Sequence, residues 1–188
     1  MNIIRHALLI PAVALIALSL TACAGETREG EPIDTASDGL KKGPNIVEVA
    51  ISANSDGPYA GAFDTLIAAV LAADPAVAET LTGRGQYTVF APTDDAFEAL
   101  GLTPDTVGDL DQGFLTDVLL YHVARGERFA EDVVESERIR TLGGEFLEQS
   151  DATLTDNLGR ESNIIVVDVD ASNGVIHAID AVVLPYAP

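Results

Sequence analysis

Ile164-Ile165-Val166-Val167-Asp168-Val169-Asp170-Ala171-Ser172-Asn173-Gly174-Val175-Ile176-His177-Ala178-Ile179-Asp180-Ala181-Val182-Val183 is the stretch that decides the fold. β-Branched residues crowd both flanks, and Asn-Gly between them is a strong hairpin signal because its turn needs positive φ at both central positions. The stretch reads as a strand over 164–171, a turn, and a strand over 175–183. A two-residue loop sets Ser172 opposite Val175, Asp170 opposite His177 and Val169 opposite Ala178; a bulge would shift that register. With Asp170 facing it, His177 is expected to favour the protonated imidazole.

Just upstream, 138–142, 145–149 and 152–155 read as short strands. Gly143-Gly144, Ser150-Asp151 and Asn157-Leu158-Gly159 supply the reversals between them. The first half of the chain has another period. Ile46, Val47, Val49, Ala50 and Ile51 suggest a short helix. Phe63, Leu66, Ile67, Val70 and Leu71 recur at three-and-four spacing until Pro75, and Val77, Ala78 and Leu81 continue until Gly83 and Gly85. Residues 87–91 alternate as a strand. Thr93 stands as an N-cap before Asp94, Asp95 and Glu98, acidic residues that suit the positive start of a helix carrying Ala96, Phe97 and Leu100. Phe114, Val118 and Tyr121 form a further apolar stripe. Helices first and strands afterwards make an α+β pattern.

Three separated blocks stand in order along this frame: Thr88-Val89-Phe90-Ala91-Pro92-Thr93-Asp94-Asp95-Ala96-Phe97, Leu120-Tyr121-His122-Val123, and Asn173-Gly174-Val175-Ile176-His177-Ala178-Ile179-Asp180-Ala181-Val182-Val183-Leu184-Pro185. In wording, order and spacing they resemble the first block, the Tyr-His block and the last block of the fasciclin (FAS1) domain family, over about 46–187. The resemblance implies a β-sandwich or wedge of short strands capped by the N-terminal helices, and a domain that binds rather than catalyses. It assigns scaffold roles to Thr93, Asp94, His122, Asn173, Gly174, His177 and Asp180. In metazoan relatives the Tyr-His block is linked to integrin-dependent adhesion, which makes Tyr121 and His122 candidate contacts here. The plainer reading has Tyr121 filling core volume and His122 tying the central helix to the sheet. No segment like the family's Asn-Lys-Asp-Ile-Leu adhesion motif is present, and bacteria have no endogenous integrin. The polar edge of Arg125, Gly126, Glu127 and Arg128 offers further contact candidates.

Residues 1–22 read as an export signal: Arg5 gives a positive start, 7–20 is mostly apolar, and Leu20-Thr21-Ala22-Cys23 closes it. That ending is similar to the bacterial lipobox, in which the signal is cut before a cysteine that carries diacylglycerol; secretory cleavage around Ala22-Cys23-Ala24 is the rival. Acyl chains on Cys23 would hold the protein on a bilayer through about 0.8 kcal/mol per buried methylene. Ala24 stands where aspartate retains enterobacterial lipoproteins at the inner membrane, so the resemblance favours the outer membrane. Residues 23–45, rich in glycine and charge, read as a flexible tether, and 46–188 as one domain. With Cys23 lipidated, no thiol remains for a disulfide or a zinc cluster.

Ten Lys and Arg against 30 Asp and Glu give a formal net charge of -20, a field that repels nucleic acid and anionic headgroups. A saline habitat and codon bias account for the acidity equally well. His122 and His177 lie among Leu, Val, Ile and Ala, where an imidazole packs and hydrogen-bonds more often than it reacts. Asp168 to Gly174 departs from a calcium loop, with Ile179 where a bidentate glutamate belongs. No Gly-x-Ser-x-Gly elbow is present. The sequence therefore predicts no catalytic residue, no metal and no cofactor. It predicts a lipid-anchored envelope protein that binds an extracellular or envelope protein, matrix or glycan, with a small-molecule or glycan carrier as the alternative. Against a carbohydrate platform, tryptophan is absent and aromatics total 5%.

Overall fold

The computed structural model describes residues 41–187; the leader, Cys23 and residues 24–40 of the expected tether lie outside them. Asn45 opens α1 (Ile46–Ser55). Its Oδ1 accepts from the Val47 and Glu48 amides at 3.0 and 3.1 Å, and Glu48 accepts from the Asn45 amide at 2.9 Å. This reciprocal box satisfies N–H groups that a helix start leaves without partners. α2 (Asp64–Ala72) stops short of Pro75. That proline is the first residue of α3 (Pro75–Thr82), behind an Asp74 cap, where a missing N–H costs nothing. β1 (Tyr87–Pro92) leads into α4 (Asp94–Glu98), and Asp111 caps α5 (Gln112–Tyr121). There follow β2 (Val123–Arg125), α6 (Ala130–Glu135), β3 (Arg138–Arg140), β4 (Phe146–Ser150), β5 (Thr153–Thr155), β6 (Glu161–Ala171) and β7 (Gly174–Ile179). β2 and α6 escaped the sequence reading because three and six residues are too few to show a period.

The strands form one seven-stranded mixed sheet in the order β2-β1-β7-β6-β5-β4-β3, in which only β1 and β7 pair in parallel. An antiparallel bridge between Ala124 and Thr141 brings the two ends of the sheet together, so the expected wedge is a rolled sheet. β1 serves two cores by alternation. Val89 and Ala91 face a cluster made with the helices, including Leu66, Val77 and Leu119; Phe90 faces the interior of the roll with Tyr121, Ile139, Leu147, Leu154 and Ile179. With both faces covered, β1 and β7 are buried at nearly every position.

The β6–β7 hairpin departs from expectation. Ala171 pairs with Gly174, Asp170 with Val175 and Val169 with Ile176, so Ser172 and Asn173 make the loop, one position earlier than an Asn-Gly turn. The cause is tertiary. Asn173 is buried, with Oδ1 accepting from the Ile46 amide at 2.8 Å and Nδ2 donating to the carbonyls of Leu81 (2.7 Å) and Gly83 (3.0 Å). Gly174 lies against β1, where a Cβ would fall 1.9 Å from the Tyr87 carbonyl oxygen. Further along, the register shifts between Val169 and Val166 as Asp168 takes φ 58°, a β-bulge. Asp170 therefore does not face His177. Opposite His177 lies the bulge, and the Asp168 amide donates to Nδ1 at 3.3 Å.

The last residues of the expected tether are attached to the domain. The Pro44 carbonyl accepts from the Ser172 amide at 2.8 Å, and Lys41 Nζ binds Asp170 at 2.7 Å and also Glu127.

Candidate partner-binding face

The Tyr-His block sits at the junction of helix and roll. Tyr121, 0% exposed, donates through its hydroxyl to the Phe146 carbonyl at 2.9 Å and accepts from the Asn157 amide at 3.3 Å. Burial pushes its pKa up to about 12. His122, 3% exposed, accepts at Nε2 from the Val183 amide (3.2 Å), which fixes Nδ1–H as the donor to the Val118 carbonyl (2.7 Å). Burial pushes its pKa down to about 4, so the ring is neutral at physiological pH. The ring ties α5 to the segment after β7, and neither side chain has surface to offer a partner. The expectation that Tyr121 and His122 touch one is corrected: they hold the scaffold.

His177 lies beneath a surface loop. Its ring stacks on Phe90 with centroids 5.8 Å apart, and Nε2 bonds the Arg128 carbonyl at 2.9 Å. Because Nδ1 accepts from Asp168, Nε2 carries the proton; burial lowers the pKa, and the protonated ring expected beside Asp170 is not what the fold holds. The buried Thr88 hydroxyl, which sequence reasoning passed over, donates to the Gly126 carbonyl at 2.8 Å and accepts from the Arg128 amide at 2.9 Å. Thr88 and His177 thus brace residues 126–128 from below.

On top of this brace, Arg125 at the end of β2 and Arg140 at the end of β3 become neighbours through the Ala124–Thr141 bridge. Together with Arg128 they line a surface hollow of about 430 Å³ floored by Thr141, Leu142 and Gly144. Among the described residues none of the three arginines has a carboxylate within ion-pair distance, although the chain carries 30 acidic residues. Arg128 spends one nitrogen on Ser136 Oγ (3.2 Å), and its buried Nε has no partner. Like charges held opposite one another across strands are destabilising, and an anionic group in the hollow would relieve that cost. Arg140 was not singled out from sequence, since only the closing of the sheet brings it to Arg125.

The fasciclin domain model matches residues 61–185. The chain belongs to the fasciclin family. A Synechocystis protein, sll1483, is 42% identical over 144 residues, 74% of this chain and 73% of that protein. The pig transforming growth factor-beta-induced protein ig-h3 is 35% identical over 127 residues, 66% of this chain but 18% of its own length. Among solved structures, a FAS1 domain pair from the insect cell adhesion molecule Fasciclin I has the same fold. Its TM-score is 0.54 at 21% identity, covering 68% of this chain and 47% of that one. Fasciclin-domain proteins are binding and adhesion proteins rather than enzymes.

The remaining signature residues of this fasciclin domain are structural latches. Thr93 occupies the N-cap position of α4, yet its side chain makes no capping bond, which corrects that expectation. Asp94 does more than face its own helix: Oδ1 accepts from the Thr65 amide at 2.8 Å and Oδ2 from the Asp64 amide at 3.2 Å, so it caps α2 from a distance. Asp180 accepts from the Asn163 amide at 2.7 Å and from the Asn163 side chain at 2.8 Å, closing the far end of the β6–β7 pair.

Asp156 had no sequence signal. Burial alone would raise its pKa, but amides of Leu184, Arg160 and Leu158 and the Arg160 guanidinium (2.8 and 2.6 Å) hold it below the usual carboxylate range. Among the described residues no cluster of His, Cys, Asp or Glu could hold a metal, and no single helix is long and apolar enough to cross a membrane.

Proposed function

We propose that this is an exported protein, anchored by lipid on Cys23 in the cell envelope, in the outer membrane where there is one. Its fasciclin domain mediates adhesion by contact with an extracellular or envelope protein, matrix or glycan. The observation that carries the reading is the hollow of Arg125, Arg128 and Arg140. On a chain of net charge -20, three arginines held together without acidic partners are a device for an anionic group presented by something else. The guanidinium fork suits carboxylate, sulfate or phosphate groups. Membership of a family that includes a cell adhesion molecule supports the same reading.

The experiment compares surface attachment, aggregation and pull-down profiles of cells carrying the wild type, a deletion of 46–187, and the double variant Arg125→Glu/Arg140→Glu. Loss in both altered strains is expected. Unchanged profiles in the deletion strain dispose of adhesion, and unchanged profiles in the double variant alone move the contact away from the hollow. Mass spectrometry of the mature N-terminus tests the anchor, which predicts a diacylglyceryl mass on Cys23.

A further inference from the structure

A second concavity opens between α1, α2 and the sheet. It holds about 160 Å³, lies among Ile46, Ala50, Leu66, Val70, Val89 and Ile176, and shares no lining residue with the arginine hollow. Close packing leaves few such voids in a protein interior, because their walls lose contacts on one side. A dry apolar cavity of similar size accepts a small hydrocarbon. His122 is the one titratable group in its wall, and both ring nitrogens are already bonded, to Val118 and Val183. Water entering here finds no polar partner, and a ligand finds no group to hold a polar head. At the mouth the apolar path continues outward: Ile51 on α1 is 46% exposed and Leu71 on α2 is 80% exposed.

We propose that this pocket binds the chain of a neutral lipid. The hydrocarbon enters between α1 and α2, and its head stays outside beyond Ile51 and Leu71. Three observations select that class. Walls without free polar atoms exclude sugars and small polar metabolites. A volume of about 160 Å³ takes a segment of chain rather than a whole lipid, and the apolar mouth receives the remainder. The formal charge of -20 disfavours anionic heads, and among the described residues no carboxylate lines the pocket or its mouth to hold a cationic one, which leaves an alcohol, ester or plain hydrocarbon. This site goes beyond the adhesion reading and stands without it.

The test titrates the neutral fluorescent probe N-phenyl-1-naphthylamine into the purified exported protein. Saturable binding at one probe per chain is expected, with displacement by 1-dodecanol and at least about tenfold weaker displacement by dodecanoate, a difference that salt should shrink. Ala50→Phe, which fills the pocket, should abolish binding while circular dichroism stays native. Ile51→Trp gives the chain its only tryptophan, at the mouth, and should transfer energy to bound probe; this reads the location even if Ala50→Phe fails to fold. Non-saturating binding, absence of transfer from Trp introduced at 51, or retention by a folded Ala50→Phe overturns the proposal. Equal displacement by dodecanoate overturns the selection for neutral lipid. Binding that appears only after residues before Lys41 are removed assigns the pocket to the chain's own N-terminal segment and also overturns it.

Discussion

At the residue scale, His122 shows how burial turns a reactive side chain into a joint. The folded state keeps the ring neutral down to about pH 4, whereas the unfolded chain protonates it near 6.5. Between those values the unfolded state binds more protons. The His122 contribution is therefore complete above about 6.5 and lost as pH falls to about 4. Relief of carboxylate repulsion pulls total stability the other way, so the readout is a difference. In urea melts, the stability gap between wild type and His122→Gln should narrow as pH falls through that window; a constant gap would show that His122 does not titrate on unfolding. Tyr121→Phe leaves the Phe146 carbonyl and the Asn157 amide without their hydroxyl, and should cost about 1–3 kcal/mol in the same melts. Both residues were legible as special because they sit in an apolar segment that otherwise has no need of polar atoms. Which way their polar atoms point was not legible, because all of their partners except the Val118 carbonyl lie 25 to 61 positions away.

At the element scale, helices and strands are joined by side chains that cap across the chain rather than along it. Asn173 closes the end of α3 and the start of α1 from a β-turn, and Asp94 caps α2 from the start of α4. Asn173→Ala should raise amide exchange in α1 and α3 before the sheet loosens, with a loss of about 1–3 kcal/mol overall; uniform loss of protection would place the capping role elsewhere. Asp156→Ala leaves the buried Leu184 amide without its acceptor and removes the Arg160 ion pair, and a cost of about 1–3 kcal/mol is expected from chemical denaturation. The sequence marked Asn173-Gly174 as a turn for its local propensity. The fold sets the loop one position earlier, at Ser172-Asn173, since three hydrogen bonds made by a buried side-chain amide outweigh the turn preference. The bulge at Asp168 left no mark in the sequence either: a run of Val and Ile pairs equally well in any register until the opposite strand and the Ala130 amide, which bonds the Asp168 carboxylate at 2.7 Å, select one.

At the scale of the whole molecule, the acidic surface and the hollow of Arg125, Arg128 and Arg140 set the terms of association. Self-repulsion at a charge of -20 predicts that melting temperature rises with sodium chloride as the Debye length contracts from about 10 Å at 0.1 M to about 3 Å at 1 M. Scanning calorimetry checks this, and a flat response would show that self-repulsion among the carboxylates does not limit the stability of the fold. The sequence alone determined the fold class, because the change of period from helix to strand and the three ordered blocks are local patterns that survive without coordinates. It also determined the sign of the surface and marked Asp94, His122, Asn173, His177 and Asp180 among the residues that carry the scaffold. Only the tertiary structure decided that Tyr121 and His122 face inward, that Arg125 meets Arg140, and that an apolar pocket stays open beneath α1 and α2. Each of these depends on which distant elements the rolled sheet brings together, and one-dimensional spacing holds no record of that closure.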